Sequence, residues 1–96
     1  MVLDFLKKAN ISDDTIKDML DTHSKSMIYN LSVNEDNCLK IISFMREIGI
    51  NVINELLLYK LDWFLNTFSY FTNFFRDKDI KNEVNKINED YMNYDL

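Results

Sequence analysis

The sequence predicts an all-α fold: a small helical bundle of about five helices. Three observations lead there. First, the 96 residues include one glycine, Gly49, and no proline. Hairpins draw on glycine for turn residues at positive φ, so the chain is poorly supplied for sheet. Second, apolar side chains recur at helical spacing along most of the chain. Third, residues that start and stop helices fall between those stretches.

Val2, Phe5, Leu6 and Ala9 share one face of a short first helix, Val2 to Ala9. Ser12 precedes Asp13 and Asp14, which suits the orphan N–H groups and positive end of a second helix start. Ile16, Met19 and Leu20 form its apolar face, and it ends near Asp21 to His23. Met27, Ile28 and Leu31 suggest one further helical turn. Ser32-Val33-Asn34-Glu35 matches a capping box, with the hydroxyl bonding the N–H of Glu35 and the carboxylate returning to Ser32. The helix it opens carries Cys38, Ile41, Ile42, Met45 and Ile48 along one face. Gly49 stops it in the left-handed conformation, and Ile50 returns an apolar contact. Asn51 caps a helix from Val52 to about Tyr59. A last stretch runs from Thr67 or Ser69 toward Met92, with residues 93–96 as a frayed tail.

The chain also aligns with itself. Phe5-Leu6-Lys7-Lys8-Ala9-Asn10-Ile11-Ser12 lies against Phe44-Met45-Arg46-Glu47-Ile48-Gly49-Ile50-Asn51. Ile16, Met19 and Leu20 then match Ile53, Leu56 and Leu57, and Met27, Ile28 and Leu31 match Phe64, Leu65 and Phe68. This predicts a single domain over residues 1–92. Two stacked helix-turn-helix units, about 2–36 and 41–75, would be followed by an acidic C-terminal helix over about 77–92.

The run Phe44-Met45-Arg46-Glu47-Ile48-Gly49-Ile50, then Ile53, Leu56 and Leu57, then Leu61-Asp62-Trp63-Phe64-Leu65, resembles the helical repeat of the mitochondrial transcription termination factor family. The resemblance covers roughly residues 5–68. It implies stacked helical repeats and a basic concave surface for nucleic acid. Leu61 stands where that family places a proline, as does Ser24 in the first unit.

Between Tyr59 and Phe75 the chain carries eight aromatic residues. On a helix turning about 100° per residue, Phe64, Phe68, Phe71 and Phe75 make one stripe. Tyr70 and Phe74 make a second, joined by Trp63 if the helix starts that early. This segment is either a central helix buried on two sides or a helix whose second stripe receives a partner. Ile80, Val84, Ile87 and Tyr91 form another stripe, turned roughly 160° from the first if the helix is unbroken. One helix cannot aim both stripes at one core. Either the helix breaks near Asp77-Lys78-Asp79, or the C-terminal part projects to pack on something else. Asp77–Lys81 and Lys86–Asp90 have the spacing of ion pairs on an exposed helix.

The net charge of -5 disfavours nonspecific nucleic-acid binding and fits a cytoplasmic protein. The longest uncharged run, Trp63 to Phe75, falls short of the roughly 20 residues of a membrane span. His23, the only histidine, reads as a surface turn residue, and Cys38 as a core residue. No Cys/His spacing suggests zinc, and no glycine-rich phosphate loop is present. The expectation is therefore a noncatalytic interaction module without cofactor or metal. It would bind a protein partner, or a second copy of itself, through Trp63, Tyr70, Phe74, Ile80, Val84, Ile87 and Tyr91. A nucleic-acid-associated helical-repeat protein is the alternative.

Overall fold

Apolar faces at helical spacing, separated by polar caps, produce six α-helices and three 3₁₀ helices in a computed structural model that describes residues 2–96. The described residues contain no strand. A 3₁₀ helix, Asp4–Ala9, is followed by α1 (Asp13–Thr22), α2 (Lys25–Val33), α3 (Glu35–Ile48) and α4 (Ile53–Tyr59). A second 3₁₀ helix, Leu61–Leu65, leads to α5 (Phe68–Phe75) and α6 (Ile80–Asp90), and a third spans Tyr91–Asn93.

Four helices begin at side chains of the preferred capping types. Ser12 Oγ accepts from the Thr15 N–H at 3.2 Å, and Ser24 Oγ from the Met27 N–H at 3.2 Å. Thr67 Oγ1 accepts from the Tyr70 N–H at 3.1 Å, and Asp79 Oδ1 from the Asn82 N–H at 3.3 Å. The Ser24 cap lengthens the expected single turn after His23 into a nine-residue helix. That extension removes the expected capping box. Ser32 lies inside α2, so its hydroxyl donates back to the Tyr29 carbonyl at 2.8 Å instead of accepting from Glu35. Asn51 does not cap α4 either, because that helix starts after Val52.

Two terminations share one geometry. Gly49 has φ of 100°, its N–H reaches the Arg46 carbonyl, and the Ile50 N–H reaches the Met45 carbonyl at 2.9 Å. Asn10 has φ of 60°, its N–H reaches the Lys7 carbonyl, and the Ile11 N–H reaches the Leu6 carbonyl at 3.2 Å. In both cases a left-handed residue turns the chain, and the isoleucine after it is buried. Asparagine accepts this conformation better than most residues with a side chain.

α3 is the centre of the packing. It contacts the first 3₁₀ helix, α2, the Leu61–Leu65 turn, α5 and α6, while α1 packs on α4. Its buried face, Cys38, Ile41, Ile42 and Met45, is the one the sequence predicts. Phe64, Phe71 and Phe75 are fully enclosed. Phe44 sits on the outer side of this set, with its ring 5.9–6.2 Å from those of Phe68, Phe71 and Phe75. Burial pushes the Cys38 thiol up to about 12, so at neutral pH it is a small apolar side chain.

The aromatic segment and the acidic helix are separate elements. The 3₁₀ helix ends at Leu65, α5 ends at Phe75, and α6 begins at Ile80, so the helix breaks at Arg76–Asp79. The break lets two stripes of different phase face one core. Val84 and Ile87 are buried there, which corrects the projecting arm. Asp77 lies in the break, away from any helical register with Lys81, and Lys86 pairs with Glu83 at 3.4 Å rather than with Asp90.

Two asparagines hold the turns around this arrangement. Asn37, on α3, donates to the Asn66 carbonyl and accepts from the Phe68 N–H, both at 2.8 Å. Asn88, on α6, donates to the Gly49 carbonyl at 3.1 Å and accepts from the Asn51 N–H at 2.9 Å. Each side-chain amide thus bonds the carbonyl of one residue and the N–H two residues on, as a neighbouring strand would. His23 is a tie between helices rather than a plain surface residue. Its Nε2 lies 2.8 Å from the Leu57 carbonyl, which only accepts, so the hydrogen is on Nε2. That carbonyl belongs to the last turn of α4, where carbonyls outnumber the N–H groups the helix can offer them.

Ile87→Ala should lower global stability by about 2–5 kcal/mol in chemical denaturation, as deletion from a closed core does. Asn88→Ala should cost about 1–2 kcal/mol through its two lost hydrogen bonds. A projecting arm would leave the domain's stability unchanged in both variants.

Candidate interaction site

The site is built where the chain returns to the Leu61–Leu65 turn. After α6 the third 3₁₀ helix turns Tyr94 inward, its N–H bonded to the Tyr91 carbonyl at 3.2 Å. The Tyr94 ring meets Trp63 edge-on at 5.9 Å and Phe74 edge-on at 6.2 Å. Its hydroxyl donates to Glu83 Oε1 at 2.7 Å. Tyr94 is therefore buried, which corrects the expected frayed tail, and Leu96 packs partly against the core. A ring able to fill the gap between Trp63 and Phe74 gains more from burial than ordering it costs.

Beside this contact lies an open hollow of about 330 Å³. Trp63, Tyr70 and Tyr94 line it, with Asp62, Asp95 and Lys60. Trp63 is only 3% exposed, whereas Tyr70 is 55% exposed and offers a free ring face. Tyr59 stacks on Tyr91 at 6.4 Å, and Tyr59 and Met92 are more than half exposed. The Lys78 ammonium sits 4.1 Å from the Phe74 ring centroid.

The seven predicted partner-binding residues divide by exposure. Trp63, Val84 and Ile87 are core residues: α6 folds back to bury Val84 and Ile87, and the Tyr94 ring packs against Trp63. Phe74 and Tyr91 are half-buried under Tyr94 and Tyr59. Tyr70 and Ile80 remain exposed. Sequence reasoning missed Tyr94 altogether, and also Tyr59 and Met92. A second, apolar groove of about 340 Å³ lies along α1 and α2, lined by Val2, Leu20, Ile28 and Tyr29. Its one signal in sequence is Tyr29, which falls outside the Met27, Ile28 and Leu31 pattern yet is a large ring.

No family model, curated protein or solved structure matches the chain.

Among the described residues no group of three His, Cys, Asp or Glu side chains could hold a metal ion. No helix there is long and apolar enough to cross a membrane. What the face offers is large, stiff, amphipathic rings with polar groups between them, the composition that protein interfaces favour.

The Tyr94–Glu83 bond ties the site to pH. The Tyr94 hydroxyl, supported by Lys86, holds the Glu83 carboxyl below the usual carboxylate range, against desolvation. Burial, then the hydrogen bond to Glu83 and its charge, pushes the Tyr94 phenol above the usual tyrosine range. A depressed carboxyl contributes stability that is present above its unfolded pKa and lost as pH falls through the folded one. A raised phenol contributes stability that is present below its unfolded pKa and lost as pH rises toward the folded one. Stability should thus fall below about pH 4 and above about pH 10. Tyr94→Phe should lose less stability on the alkaline side and show a weaker acid dependence, as read by denaturation midpoints across pH. Identical pH profiles for the two proteins would contradict the bond.

Proposed function

We propose that the chain is a noncatalytic interaction module that binds a protein partner through the face around the Trp63 hollow. The observation that carries this reading is the exposed Tyr70 ring lining a hollow together with the buried Trp63. Rings that are already held in place lose little freedom on binding, and interface energy concentrates in such anchors. The environments of the histidine and the cysteine support the noncatalytic reading. The one imidazole is occupied with the Leu57 carbonyl, and the one thiol is enclosed in the core.

The matched terminations at Asn10 and Gly49 also support a two-unit helical scaffold. Each is followed by a buried isoleucine and then by one of the mutually packed helices α1 and α4. On this reading the C-terminal segment is an addition that covers the second unit and creates the face.

The test is capture of partners from a cell lysate with the wild-type chain and two variants. Tyr70 occupies the third position of α5, where an acidic residue suits the helix start, so Tyr70→Asp should keep the fold. A partner bound by wild type should be lost with Tyr70→Asp and kept with Tyr29→Asp, which alters the other groove. Equal capture by all three would contradict the reading. Light scattering on the purified chain distinguishes self-association, which should show the same dependence on Tyr70.

A further inference from the structure

The hollow has a chemistry of its own. Asp62 and Asp95 both line it, both are exposed, and neither forms a hydrogen bond or ion pair. The Tyr70 ring stands free beside them. The indole N–H of Trp63 has no hydrogen-bond partner in the protein, yet no sealed side-chain N or O among the described residues lacks one. The Trp63 Nε1–H therefore keeps some access to solvent, and Trp63 lines the hollow. Two aspartates, an exposed tyrosine ring and a tryptophan with an unsatisfied donor thus line one hollow of about 330 Å³.

These groups are complementary to one kind of occupant. Carboxylates and a ring face together select a cation, and a planar guanidinium can pair with the first while stacking on the second. The indole N–H calls for an acceptor, which a peptide carbonyl supplies and a free amine does not. The volume suits a single long side chain with its own peptide unit. The chain's charge of -5 draws a basic partner from a distance. The aromatic cluster already holds one cation, Lys78 over Phe74. Lys60 is the basic residue on the rim and opposes the effect.

We propose that this hollow receives an arginine side chain, presented by a basic segment of the partner, whose carbonyl accepts the Trp63 indole N–H. The inference rests on the interaction-module reading and names the partner's chemistry.

Trp63 is the only tryptophan, so the protein has a single indole N–H signal in a ¹H–¹⁵N spectrum. The probe is acetyl-Gly-Arg-Gly-amide, with the citrulline peptide as its uncharged counterpart. The arginine peptide should shift the indole signal saturably, and the citrulline peptide should bind about tenfold more weakly or not at all. Asp62→Asn with Asp95→Asn should reduce arginine-peptide affinity about tenfold. Asp18→Asn with Asp21→Asn, an equal charge change on α1, should leave it near wild type, and Lys60→Ala should tighten it. Equal affinity for both peptides, equal loss in both double variants, or no indole shift in wild type would each overturn the arginine assignment. If partner capture still depended on Tyr70 in that case, the module reading would stand and only its arginine partner would fall. If the peptide bound but capture ignored Tyr70, the module reading would fall instead.

Discussion

Asn88 grips the Gly49 turn with both ends of its amide, and the C-terminal half of the protein is arranged around that grip. The bond fixes α6 beside the end of α3. From there Val84 and Ile87 enter the core, and a β-carbon built on Gly49 would meet Val84 Cγ1 at 3.7 Å. With α6 in place, the short turn after it delivers Tyr94 to Trp63 and Phe74. The hollow is the space left beside that contact. A chain with one glycine and no proline makes its sharp turns this way, from polar side chains bonding the backbone. Asn37 does the same where the Leu61–Leu65 turn gives way to α5.

The parts legible in the sequence are those decided locally. Gly49 is the only residue free of the left-handed penalty, so its role could be read from its type and its place after an apolar stripe. Ser12 before two aspartates marked α1, and the phase of Cys38, Ile41, Ile42 and Met45 marked the buried face of α3. The stripe of Val84 and Ile87 was also legible as a stripe. Periodicity records the phase of an apolar face, but not what covers it, so an interface helix and a folded-back core helix look alike. Trp63 and Tyr94 show the same limit. They are far apart in the chain, and neither is placed without α6. The asparagine clamps left no signal, because an amide that bonds a distant turn has no periodicity. Ser32 misled because α2 was longer than its few apolar residues suggested.

The candidate face divides its labour between order and exposure. Trp63 and Tyr94 are held by ring contacts and by the Glu83 hydrogen bond, so they cost little to organise when something binds. Tyr70 keeps much of its surface in water and has it to bury. In the proposed arginine site the exposed aspartates at the rim select by charge. Selectivity of this kind acts on encounter and register more than on raw affinity.

The central claim is that α6 is part of the core and not an appendage. Native-state hydrogen exchange tests it most directly. The amides of Val84, Ile87 and Asn88 should exchange only through global unfolding, at the same free energy as those of Ile41 and Ile42 in α3. Fast exchange along α6 with α3 still protected would mean that the segment opens on its own, and the face it builds with Trp63 would not exist as described.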